Sequence, residues 1–189
     1  MKTFRRLVLS LVVLVASFAQ AADSSRPIRI ASKNFGESYL LSEITAQLLS
    51  ARGFEVRRQF GLGGTLICYE ALRNGEIDVY PEYTGTMAQA IFKLGGDAEF
   101  DELESLAQEQ GLTILAPFGF NNTYAMVVPE QLAESRGLSS IADLAQADLN
   151  IVVSHEFLER ADGWPGLAEA YDLTGTPTGI EHGLAYQAI

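Results

Sequence analysis

Two cations, Lys33 and Arg160, and two aromatic rings, Tyr83 and Tyr124, are the residues whose types and placing most invite chemistry. Lys33 closes an alternating segment at 27–32, and Arg160 follows a second apolar segment at 149–153. A cation at the end of a strand suits a carboxylate, because charge-assisted hydrogen bonds are short and strong. An aromatic face suits the opposite charge, above all a cation with no hydrogen to donate, such as a quaternary ammonium. Tyr83 lies in the loop at 78–86, with the hydroxyls of Thr84 and Thr86 and with Gly85, which permits close approach. In an open parallel sheet, ligands bind just beyond the carboxyl ends of strands, and this loop follows such an end. Tyr124 comes just after a change of texture at 118–122 and is placed to face Tyr83 across a cleft. Packing is the alternative role for each ring. Cations and rings together fit a zwitterion.

Other reactive types lack the company that their chemistry needs. His155 and His182 are far apart, without the Cys or carboxylate spacing of a metal site. Cys68, the single cysteine, sits among Leu66, Ile67 and Leu72 and reads as a core thiol; alone it makes no disulfide. No serine occupies a Gly-x-Ser-x-Gly elbow. Gly61-Leu62-Gly63-Gly64-Thr65 opens a helix and offers backbone N–H groups to an anion, yet it lacks the lysine of a phosphate loop and the third glycine of a dinucleotide fingerprint. The expectation is a binding protein with no cofactor and no metal, not an enzyme.

The elements that must position these residues alternate. Strands are expected at 27–32 and 54–60, where the sequence alternates, and at 77–80, 112–116, 124–128 and 149–153. Helices are expected at 37–52, 66–74, 87–93, 99–110, from 129, at 141–147, 166–171 and 183–189. Strand–helix alternation predicts an α/β fold with a mostly parallel sheet. The texture change at 118–122 predicts two units, 22–118 and 119–189. The second has few strands for a complete sheet, and Leu184, Ala188 and Ile189 ask for a covering surface, so the chain is expected to be part of something longer.

Several segments together resemble a known family. Ser32-Lys33-Asn34-Phe35-Gly36-Glu37, Gly61-Leu62-Gly63-Gly64-Thr65, Glu70-Ala71-Leu72, Gly75-Glu76-Ile77-Asp78-Val79-Tyr80 and Glu82-Tyr83-Thr84-Gly85-Thr86 occur in that order. Tyr124-Ala125-Met126-Val127-Val128, Arg160-Ala161-Asp162-Gly163 and the run from Gly183 to Ile189 follow. This order resembles the substrate-binding proteins of ABC importers for glycine betaine, choline and carnitine. The resemblance implies a periplasmic-binding-protein-like (type II) fold of two α/β lobes, the second incomplete here, closing on a ligand. It implies that Tyr83 and Tyr124 form two walls of an aromatic cage, and that Lys33, Thr86 and Arg160 hold the carboxylate. It implies a main-chain carbonyl contact at Asn122, where the family usually has an acid. It also implies partners: a quaternary-ammonium ligand, and the permease and ATPase subunits at the inner membrane. Members continue for roughly another domain's length with further cage tyrosines. A remnant or ligand sensor with the same fold is the second reading.

The ends and the charge agree with export. Lys2, Arg5 and Arg6 precede an apolar stretch at 7–18 and a small-x-small Ala19-Gln20-Ala21 site, the pattern of a cleavable secretory signal over 1–21. The apolar stretch is short against the roughly 20 residues of a spanning helix. The mature protein is expected to be periplasmic and monomeric. The formal net charge of −11, about −14 without the signal, disfavours nucleic acid and anionic lipid.

Overall fold

The computed structural model describes residues 26–94 and 98–189. The expected signal peptide lies outside them. Among the described residues, no helix is long and apolar enough to cross a membrane.

Strand β1 (Ile28–Lys33) is the axis of the first unit. Helix α1 (Gly36–Ala51) returns the chain so that β2 (Val56–Gly63) pairs parallel with β1, Ile28 opposite Val56. Helix α2 (Thr65–Arg73) then crosses to the other side of β1, where Val79 makes a parallel bridge to Ile30. β1 therefore has neighbours on both sides, reached by crossovers that leave it in opposite directions. Such a switch point opens a crevice at the carboxyl ends of the strands. The strand expected at 77–80 is reduced to this bridge, although the Ala31 N–H still donates to the Val79 carbonyl at 2.9 Å.

α1 sits close to the sheet because its inner face is small: Ser38, Ser42 and Ala46 have no exposed surface. The Ser42 hydroxyl donates to the Ala31 carbonyl at 2.7 Å, and Ser38 Oγ accepts the Lys33 N–H at 2.8 Å. The leucine-rich stripe faces out, with Leu40 60% and Leu48 58% exposed. β2 ends at Gly63, whose φ of +149° and approach to Ile67 (2.6 Å from where a Cβ would stand) exclude a side chain. Thr84–Thr86 forms one helical turn that runs into a π-helix, Met87–Ile91, and α3 (Phe100–Glu109) closes the unit.

The second unit is another parallel βαβ arrangement. α4 (Glu130–Arg136) and a 3₁₀ segment (Ile141–Gln146) lead to β3 (Val152–Ser154), α5 (His155–Glu159) and α6 (Trp164–Tyr171). β4 (Thr178–Ile180) pairs parallel with β3, and a 3₁₀ segment (His182–Gln187) follows where an amphipathic helix was expected. Val153, Phe157, Trp164 and Leu173 form its core. Ser154 Oγ accepts the Phe157 N–H and so starts α5 directly at the end of β3.

Strands were expected at 112–116 and 124–128, and neither is formed. Neither segment joins a ladder, and Leu115 is 71% and Val127 61% exposed. Local pattern makes a segment competent for a strand, but a strand exists only where a neighbour completes the ladder, and neither segment pairs with a described strand. The short elements α5 and β4 had no counterpart among the sequence expectations.

Candidate functional site

The carboxyl end of β1 brings Lys33 into the crevice, 4% exposed. Its ammonium donates to Glu82 Oε1 at 2.5 Å and to Thr65 Oγ1 at 3.3 Å. It also stands 4.9 Å from the centroid of the Tyr83 ring and 5.6 Å from that of Phe35. A buried charge needs this much satisfaction, because desolvation otherwise outweighs attraction. Burial pushes the Glu82 carboxyl above its usual range, and the Lys33 charge opposes that push.

The turn at Thr84–Thr86 orients Tyr83 and Thr86 from one short segment. The Tyr83 hydroxyl donates to Glu37 Oε1 at 2.5 Å, and the Asn122 side-chain amide donates to the same oxygen at 2.8 Å. Glu37 lies in the first turn of α1, so the ring is tethered to the helix that follows β1. Burial raises the Tyr83 phenol, and the Glu37 contact raises it further. The structure thus engages Asn122 through its side chain.

Arg160 comes from the second unit, just after α5, and its side chain is 7% exposed. Nε and Nη2 grip Asp162 at 2.8 and 2.5 Å, which lifts the guanidinium and lowers the Asp162 carboxyl. Nη1 donates across to Thr86 Oγ1 at 3.0 Å. The turn that carries this fork is glycine-dependent: a Cβ on Gly163 would stand 2.1 Å from the Phe157 carbonyl oxygen. Tyr124, half exposed, lies 4.7 Å from the Phe157 ring and 5.9 Å from the Arg160 guanidinium, measured to ring centroids.

Lys33 and Arg160 are joined through two residues that sequence reasoning did not single out. Thr65 at the head of α2 donates to Glu156 at 3.1 Å, and Glu156 lies 3.6 Å from Arg160 Nη1. The six expected site residues therefore fall into one network: Lys33 with Tyr83, Asn122 with Tyr83 through Glu37, and Thr86 with Arg160 and Tyr124. Sequence reasoning missed the carboxylates Glu37, Glu82, Glu156 and Asp162. Glu37 and Glu82 were legible only as members of the quoted motifs, and Asp162 as the neighbour of Arg160. Among the described residues, no three His, Cys, Asp or Glu side chains are grouped to hold a metal. Cys68 is fully buried, donates towards the Ser32 carbonyl at 3.6 Å, and is pushed up to about 11 by burial.

Two buried cations and two aromatic rings thus stand near one another, and comparison with known proteins places the chain in a family. Residues 26–189 match the substrate-binding domain of the ABC-type glycine betaine transport system. The chain belongs to this family. A glycine-betaine-binding protein of Pseudomonas aeruginosa is 36% identical, over 97% of this chain and 65% of its own length. The glycine betaine-binding protein YehZ of Escherichia coli is 32% identical, over 85% of this chain and 56% of its own. The solved apo structure of YehZ aligns with a TM-score of 0.53 at 31% identity, covering 84% of this chain and 62% of that one. An ergothioneine transport permease/ergothioneine binding protein of Helicobacter pylori is 31% identical, over 90% of this chain and 32% of its own. The chain spans less than two thirds of the length of each. The fold is periplasmic-binding-protein-like, and members of the glycine betaine family bind a substrate rather than transform one.

Proposed function

We propose that this chain captures glycine betaine or a related quaternary-ammonium zwitterion outside the cytoplasm and presents it to the permease of an ABC importer. Lys33, Thr86 and Arg160 take the carboxylate, and Tyr83 and Tyr124 give ring faces to the methylated cation. Asn122 fixes Tyr83 through Glu37. Residues 1–21 direct export, and 22–118 and 119–189 are the two lobes that meet at the site. The observation that carries this reading is the Arg160–Thr86 hydrogen bond. It joins a buried cation of the second unit to the tyrosine-bearing turn of the first, so one ligand touches both.

The test is calorimetry and thermal shift with glycine betaine, carnitine, ergothioneine and choline, against glycine and tetramethylammonium. Saturable binding of the zwitterions, with glycine and tetramethylammonium each far weaker, is expected. Equal responses to glycine and glycine betaine would remove the rings from recognition.

A further inference from the structure

Every cation in the site already has a carboxylate of the chain's own, but these carboxylates are not equivalent. Glu82 is buried, its side chain 9% exposed, and is fixed by Lys33 and the Tyr83 N–H. Asp162 lies two residues from Arg160 and holds two of its nitrogens. Glu82 is held by its burial, and Asp162, itself 39% exposed, by its two bonds to Arg160. Glu156 differs. It is 34% exposed and sits on α5, yet both of its oxygens lie within 3.1–3.2 Å of Thr65 Oγ1, in the other unit. It lies 3.6 Å from Arg160 Nη1, the nitrogen that Asp162 does not hold and that donates to Thr86. Thr65 in turn accepts from Lys33.

We infer that Glu156 is an internal stand-in for the ligand's carboxylate, seated between Lys33–Thr65 and Arg160 until a carboxylate ligand displaces it. The groups it engages face buried bases, while its own side chain reaches solvent, so it can swing into water where Glu82 cannot. A carboxylate bound by the same cations meets the Glu156 charge at close range, and like charges disfavour each other there. Glu156 then sets specificity: its departure is required for a zwitterion and is not required for a cation such as choline. This rests on the function proposed above for the ligand, but not for the exchange itself, which any small carboxylate can perform.

The experiment uses the full chain with Glu156→Ala and Glu156→Gln. Melting is followed in sodium acetate and in sodium chloride at equal ionic strength. The expected result is that acetate restores much of the stability lost in Glu156→Ala, saturably, while chloride does not, and that the wild type, whose own carboxylate competes, responds to acetate only at higher concentration. Acetate no better than chloride on both variants, or an equal acetate response in the wild type, overturns the inference. Calorimetry then compares glycine betaine with choline. Glu156→Gln, close in shape and uncharged, is expected to raise the betaine-to-choline affinity ratio about tenfold. An unchanged or lower ratio overturns the stand-in. Acetate rescue with no binding of either quaternary ammonium overturns the proposed ligand class and supports the stand-in.

Discussion

Arg160→Ala separates the carboxylate clamp from the rings. The guanidinium has five N–H groups; Asp162 takes one from Nε and one from Nη2, and Thr86 takes one from Nη1, which leaves one on each of Nη1 and Nη2 for a ligand. One hydrogen bond to a charged group contributes about 1.5–3 kcal/mol, or about 10- to 150-fold in affinity. Glycine betaine is therefore expected to lose at least about that factor, while choline, without a carboxylate, changes by less than about threefold. Arg160→Lys should be nearly as damaging to betaine as alanine. An ammonium on a flexible stem lacks the planar fork that faces Asp162 and Thr86 together. Calorimetry with both ligands reads the difference, and melting of each variant confirms that it folds. Equal losses for betaine and choline would show that Arg160 supports the fold of the site without touching the ligand's anion. Full retention of betaine binding by Arg160→Lys would show that charge alone suffices.

Tyr83→Ala and Tyr124→Ala should each weaken every quaternary-ammonium ligand by about 0.5–2 kcal/mol in calorimetry. Tyr124→Phe should bind nearly as the wild type does, whereas Tyr83→Phe should lose a few-fold, because its hydroxyl anchors the ring to Glu37. Cys68 should resist alkylation in the folded chain and react on unfolding, since burial holds the thiol near 11; thiol titration with and without denaturant checks this. Asp78 accepts from Arg26 and from the Arg29 backbone and side chain, which lowers its carboxyl to about 2. Its stabilisation is present above the usual carboxylate range and is lost as pH falls from about 4 towards 2. Asp78→Asn should cost about 1–2 kcal/mol near neutrality and flatten the acid limb of a melting-versus-pH curve.

The fold was legible wherever local pattern and ladder agree. β1, α1, β2 and α2 lie within a few residues of their expected spans, because each is a single alternating or helical run with turn residues at its ends. The expectations failed where a neighbour decides. Residues 124–128, Tyr-Ala-Met-Val-Val, are an apolar run of strand length, but β1 has β2 and Val79 beside it and 124–128 pairs with no described strand. Helical spacing alone does not say which side of α1 packs. Ser38 and Ser42 reach the sheet because a close approach needs small residues, and Leu40 and Leu48 are left outside.

The site was legible by residue type and not by charge balance. Lys33 and Arg160 stood out as cations at strand ends, which suggests a positive clamp awaiting an anion. The structure replaces that picture. Glu82 is 49 positions from Lys33, and Glu156 is 91 from Thr65, so no spacing rule announces either contact. With Glu82, Asp162 and Glu156 in place, the clamp is already neutralised, and buried cations are tolerated for that reason. On the proposed function, a ligand carboxylate then enters by exchange, not by filling an unscreened positive field. Its net contribution is the difference between two carboxylates on the same donors. Discrimination among methylated cations therefore rests on how cheaply Glu156 leaves and on how well Tyr83 and Tyr124 present their faces, more than on the strength of the two bases.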